Sequence, residues 1–206
     1  MLWRGKMIEE IIQREWDFFQ KVQHIDGRAS CQDDFETFYK QRKAQYLVYP
    51  EELLLSYLED LKLYKASQRN PIMEKYAYMM ETTDKDFFQS IQSQLPVIDN
   101  EKKQIIQVIC QIETTMREEF QQHYPTLSSL SRNIYTNDDE KEKTSFETYL
   151  RGELMTYSSH SLYLYGQMII HMWNQHQNIV ELINQNTVKE YGYQNLEEAE
   201  NALRMK

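Results

Sequence analysis

Apolar residues recur along this chain at helical spacing, and the first stripe is plain by Val22. Met7, Ile8, Ile11, Ile12, Trp16, Phe19 and Val22 share one face of a 3.6-residue repeat, which predicts an amphipathic helix. The segment His24 to Ala29 interrupts it. Ser30 with Asp33 resembles a capping box in which Asp replaces Glu, and it predicts a second helix carrying Phe35, Phe38, Tyr39 and Tyr46. Pro50 opens a third helix to about Ser67, and Asn70-Pro71 supplies a cap and a first-turn proline for a fourth, to Met80. Thr83 or Asp84 starts a short fifth helix that Pro96 ends. Asp99 or Asn100 then caps a helix over 101–122 with the stripe Ile105, Ile109, Ile112, Met116 and Phe120.

The pattern fails over residues 126–143, where Ser and Asn are followed by the mixed-charge run Asp138 to Lys143; a mobile loop is expected there. Thr144 with Glu147 gives another capping box, and helical periodicity continues from it to about His176. A helix that long marks Gly152 or Gly166 as a bend or a close packing contact. Two more helices, over 178–191 and 195–205, complete the chain. The expectation is an all-α, single-domain irregular helical bundle of six or more helices over residues 1–206.

Composition supports this. Five Gly and four Pro in 206 residues are too few to turn a many-stranded sandwich or barrel. A net charge of −9 with no basic stripe argues against nucleic acid, which needs clustered Lys and Arg to neutralise phosphates, and against an anionic membrane surface. The apolar runs Leu53 to Leu55 and Met168 to Ile170 are too short to span a bilayer. Glu9 and Glu10 precede any leader-like apolar run, so a cytoplasmic location is expected, with Cys31 and Cys110 as free thiols.

The spacings that carry familiar chemistry are missing. The residues three before the five histidines are Lys21, Phe120, Tyr157, Met168 and Trp173, so no Glu-x-x-His site for a carboxylate-bridged metal pair exists. No His-Glu-x-x-His, phosphate-binding Gly-rich loop or Gly-x-Ser-x-Gly occurs either. No tightly bound transition metal is expected, and no cofactor is indicated.

Three constellations remain. In Gly27 to Asp34 a loop runs into a helix start, where free N–H groups and Arg28 suit an anion; the competing reading is a capped helix whose Arg28 salt-bridges a neighbour. Cys31 sits in that first turn, although Asp33 and Asp34 oppose thiolate formation. In Arg69 to Met80 the stripe Met73, Ala77 and Met80 suits a core, and Glu74 beside it is either an ion-pair partner or a pocket carboxylate. In Ser145 to His160 and onward, Glu153, His160, Gln167 and His171 fall together on one continuous helix as a polar seam beside the core, which suits either hydrogen-bonded helix packing or, with a carboxylate and imidazoles on one face, acid/base work or a mononuclear metal.

These segments together resemble an uncharacterised bacterial family, domain of unknown function 4125. The blocks are Glu15-Trp16, Gly27 to Gln32, Arg69-Asn70, Glu74 to Tyr76 with Met79-Met80, Ser145 to Leu154, and Tyr191 to Tyr193. The resemblance implies no activity, cofactor or substrate. It nominates the polar residues Arg28, Asp33, Arg69, Glu74, Arg151, Glu153 and Tyr157 as places to look for a site.

Two functional readings follow, with a third beside them. An enzyme would use Glu74, Glu153 or His160 for proton transfer and Arg28, Cys31, Asp33, Arg69, Arg151 and Tyr157 for ligand contacts. A binding module would use the same groups to hold a small anionic ligand or a peptide. A scaffold would instead present the 15 Tyr and 10 Met residues to a protein partner. The oligomeric state is not indicated. Arg28, Arg69, Glu74 and Glu153 are expected to meet in one polar cluster.

Overall fold

Helices α1 (Leu2–Phe19), α3 (Glu51–Ala66) and α9 (Ser159–Asn174) stack side by side, because α3 packs against both of the others. The computed structural model describes every residue except 1, 24–26, 28, 142 and 206. Helices α2 (Phe35–Tyr46) and α10 (Ile179–Glu190) pair on another side, and α4 (Pro71–Thr83) and α8 (Phe146–Thr156) form the most extensive pairing of the fold. The longest helix, α6 (Asn100–His123), packs against α8, α9 and α10. Short helices α5 (Lys85–Ile91), α7 (Pro125–Ser129) and α11 (Leu196–Arg204) complete eleven α-helices among the described residues. The described residues hold no strand, although an isolated bridge joins Glu140 and Lys143, and no helix among them is long and apolar enough to cross a membrane.

One core runs through these helices: Ile8, Ile11 and Ile12 of α1 and Ile109, Met116 and Phe120 of α6 are buried as the stripes predict, Ile105 and Ile112 are half-buried against the core, and Ile106 of α6 with Leu53, Leu54 and Leu61 of α3 join it. Asn70 caps α4 by accepting from the Ile72 and Met73 amides, and Asp99 caps α6 from Lys102 N at 2.8 Å. Other starts lie elsewhere than expected. Ser30–Asp33 forms a 3-10 turn, and Asp34 caps α2 by accepting from Thr37 N. Ser145, rather than Thr144, caps α8.

The single helix expected from 144 to about 176 is two helices. Its break lies at Tyr157-Ser158, not at a glycine, because other elements terminate both ends. Lys102 Nζ donates to the Met155 and Tyr157 carbonyls at 2.8 and 2.6 Å, satisfying the end of α8. Asp60 accepts from Ser158 N at 3.0 Å while the Ser158 hydroxyl caps α9. Gly152 is the close contact: a Cβ there would lie 2.8 Å from Met79 Cγ and 3.0 Å from the Lys75 carbonyl oxygen.

Residues 126–143, expected as a mobile loop, begin inside α7 and include a 3-10 turn at Thr136–Asp138. The Asp139 carboxylate ties the segment down, accepting from Ser145 N, Thr82 Oγ1 and Thr148 Oγ1 at 2.6 to 2.7 Å. At the other end, Glu200 of α11 accepts from the Thr126 and Leu127 amides at the start of α7.

Candidate functional site

Four charged side chains from four helices meet inside the bundle. Arg42 of α2 donates through Nε to Glu15 Oε2 at 2.8 Å, and through Nη2 to Glu15 Oε1 and to the Tyr46 hydroxyl. Its Nη1 reaches Gln45 Oε1 at 2.8 Å and both Glu153 oxygens at 3.3 Å. Lys75 of α4 donates to Glu153 Oε2 at 2.5 Å, and the Tyr57 hydroxyl donates to Glu15 Oε1 at 2.8 Å. All four are buried, Glu15 completely. Two carboxylates and two cations balance, which is the condition for keeping charges in a dry interior. Burial alone would raise the Glu153 carboxyl; the Arg42 and Lys75 charges outweigh it and hold the group well below the usual carboxylate range.

Beside this cluster lies a cleft of about 810 Å³, within the size range of small-molecule sites. Glu113 and Arg117 of α6, Tyr149 and Glu153 of α8, and Tyr165 of α9 line it, with Arg132 and Lys143 from the 126–143 segment. Glu113 is buried on the apolar side of α6 and accepts from the Tyr165 hydroxyl at 2.8 Å. Burial pushes its carboxyl up to about 8, opposed by the Tyr165 hydrogen bond and assisted by the Glu153 charge. It is therefore neutral at pH 7, with one O–H to give.

Arg117, one turn along, is also buried. Its Nη2 donates to the Ser128 carbonyl at 3.2 Å, its guanidinium lies over the Phe120 ring, and its Nη1 has no hydrogen-bond partner among the described residues. Arg132 is exposed at the same cleft, donating to the Thr144 carbonyl and lying 4.6 Å from the centroid of the Tyr149 ring. The Glu153 charge is offset within the buried cluster and Glu113 is neutral. The cleft thus presents Arg117 and Arg132 as cations with no carboxylate partner among the described residues, while Lys143 at its edge pairs with Glu140 at 3.5 Å, on a protein whose net charge is −9.

The sequence-nominated residues scatter. Glu153 lines this cleft and Cys31 a smaller adjoining one. Arg69 and Glu74 form a two-pronged pair at 2.8 and 2.7 Å, with Arg69 against the Tyr64 ring. Glu74 and Glu153 thus have separate cations, so the expected four-residue cluster divides in two, and Arg28 lies outside the described residues. Tyr157 is buried among Tyr57 and Tyr165, while Arg151 pairs with Glu147 at 2.7 Å. Asp33 is exposed. His160, Gln167 and His171 are exposed on α9, separated from Glu153 by the corner at Ser158, so the expected polar seam is not formed.

Sequence reasoning missed Arg42, Glu113, Arg117, Arg132 and Tyr165. A signal for two of them was present: Glu113 and Arg117 are charged residues four apart, each directly after an apolar position of the α6 stripe. Glu15 and Lys75 stood within the blocks of the resemblance but were not singled out there.

The fold and its cleft define an all-α protein with a paired charge cluster in its interior and a cationic, partly aromatic hollow beside it. The chain belongs to the family described as protein of unknown function (DUF4125), whose model matches residues 5–201. No curated protein and no solved structure matches.

Proposed function

We propose that the cleft between α6, α8 and α9 binds a small molecule through an anionic group, a carboxylate or a phosphate. The observation that carries this reading is Arg117, a buried guanidinium that lines the cleft and has one donor nitrogen without a partner among the described residues. Arg132 adds positive charge at the rim, and neutral Glu113 adds a donor that does not repel an anion. The unpaired cysteines support a cytoplasmic setting for such a molecule.

Thermal shift with inorganic phosphate and with citrate, at constant ionic strength, tests the reading. A ligand that binds only the folded state adds about 2.7 kcal/mol of stability at a hundred times Kd. One of the two anions is expected to raise Tm in the native protein and not in Arg117→Met. Two results overturn the proposal: no shift with either anion, or shifts in Arg117→Met and Arg132→Gln as large as in the native protein.

A further inference from the structure

The large cleft shares a wall with a second hollow of about 250 Å³. Thr37, Gln41, Arg42, Arg132 and Tyr149 line both, so the two are arms of one groove. The arms differ in chemistry. The large arm carries the cations Arg117, Arg132 and Lys143 and the neutral Glu113. The small arm is faced by Phe19, Phe38, Ile72 and Tyr76, with the exposed Cys31 among its lining residues. Phe19 and Phe38 stack there, ring centroids 5.6 Å apart and planes 13° from parallel, which gives the arm a rigid aromatic wall.

The junction is fixed by Tyr149. Lys75 Nζ lies 3.3 Å from its ring centroid and the Arg132 guanidinium 4.6 Å, so two cations hold the ring between the arms. Arg132 borders both arms. An anion held by Arg132 therefore leaves whatever is attached to it within reach of the aromatic wall.

We infer that the groove takes one elongated molecule, an aromatic body carrying a phosphate or carboxylate, with its ring in the small arm and its anionic group in the large one. This inference rests on the anion-binding reading above and adds the class of molecule. Aromatic area buried in the small arm supplies affinity, while Arg117 and Arg132 set the orientation.

Three probes separate the contributions by calorimetry: 2-naphthyl phosphate, inorganic phosphate and 2-naphthol. Cys31 alkylation by N-ethylmaleimide, followed by intact mass, reports occupancy of the small arm. The other cysteine, Cys110, is buried, and burial raises its thiol to about 12, which keeps it unreactive. Naphthyl phosphate is expected to bind about tenfold or more tighter than inorganic phosphate, since the ring adds buried apolar area. At roughly four times its Kd it should slow Cys31 alkylation about fivefold.

Ile72→Glu, checked for folding by its Tm, should bring naphthyl phosphate down to the affinity of phosphate. Thr37→Trp, an exposed position at the junction, should do the same without touching the core. Arg132→Gln should weaken both phosphates together. If phosphate binds through Arg132 but the naphthyl group adds nothing and Cys31 stays unprotected, this inference fails and the anion site stands. If naphthol binds as tightly as naphthyl phosphate and Arg132→Gln has no effect, or if no probe binds, both fail.

Discussion

Lys75 donates to Glu153 at 2.5 Å across 78 residues of sequence, one position from the glycine where α4 and α8 touch. The close approach at Gly152 and the ion pair belong to the same helix crossing. The pair also faces Arg42, whose other carboxylate partner, Glu15, is fully buried. Removing any one member leaves a partner charged and dry.

Glu153→Gln is therefore expected to destabilise the protein by about 3–5 kcal/mol in urea unfolding, and Lys75→Met by a similar amount. The two changes together should cost clearly less than their sum, since each alone strands the other charge. The wild-type contribution is present above pH 4.5, the ordinary value for this group, and is lost as pH falls toward the depressed folded-state value. Additive costs would show that Lys75 and Glu153 act independently.

Glu113 has the opposite sign. Its folded-state carboxyl titrates near 8 against an ordinary value of 4.5, so the folded chain holds a proton that the unfolded chain releases. This contribution is complete below pH 4.5 and disappears as pH rises through 8. Calorimetric Tm from pH 5 to 9 should fall more steeply for the native protein than for Glu113→Gln. At about 1.4 kcal/mol per unit, the variant should lead by a few kcal/mol at pH 9. Parallel profiles would place the Glu113 carboxylate in a solvated setting.

Asp139 accepts three hydrogen bonds that tie the 126–143 segment to α4 and to the start of α8. Asp139→Ala should cost about 1–3 kcal/mol, because the Ser145 amide and two hydroxyls lose their acceptor. Amide exchange should speed up over residues 130–145 and stay unchanged in α3. Uniform exchange across the chain would show that Asp139 contributes no local anchoring.

The class of fold was legible because apolar periodicity is local. Most of the α1 and α6 stripes is buried, with Trp16, Ile105 and Ile112 half-buried, and the Asn70 and Asp99 caps hold their helices as the side-chain chemistry dictates. The site was less legible because its partners come from distant segments. Nothing local to Glu153 indicates that Arg42, 111 residues away, would face it. Helical phase placed Glu153 beside His160 only on the premise of an unbroken helix, and that premise failed where Asp60 and Lys102, from α3 and α6, close the corner at Ser158.

That corner is held from outside. The Tyr157 carbonyl at the end of α8 and the Ser158 amide before α9 are satisfied by side chains that stand 55 and 98 residues upstream, respectively. Severed from α3 and α6, the stretch would lose both clamps, and only Ser158 would remain to interrupt a continuous rod. The direction in which α9 leaves α8 thus depends on contacts from α3 and α6. Swapping those two clamp residues, rather than anything between Phe146 and Asn174, is the economical way to redirect the chain.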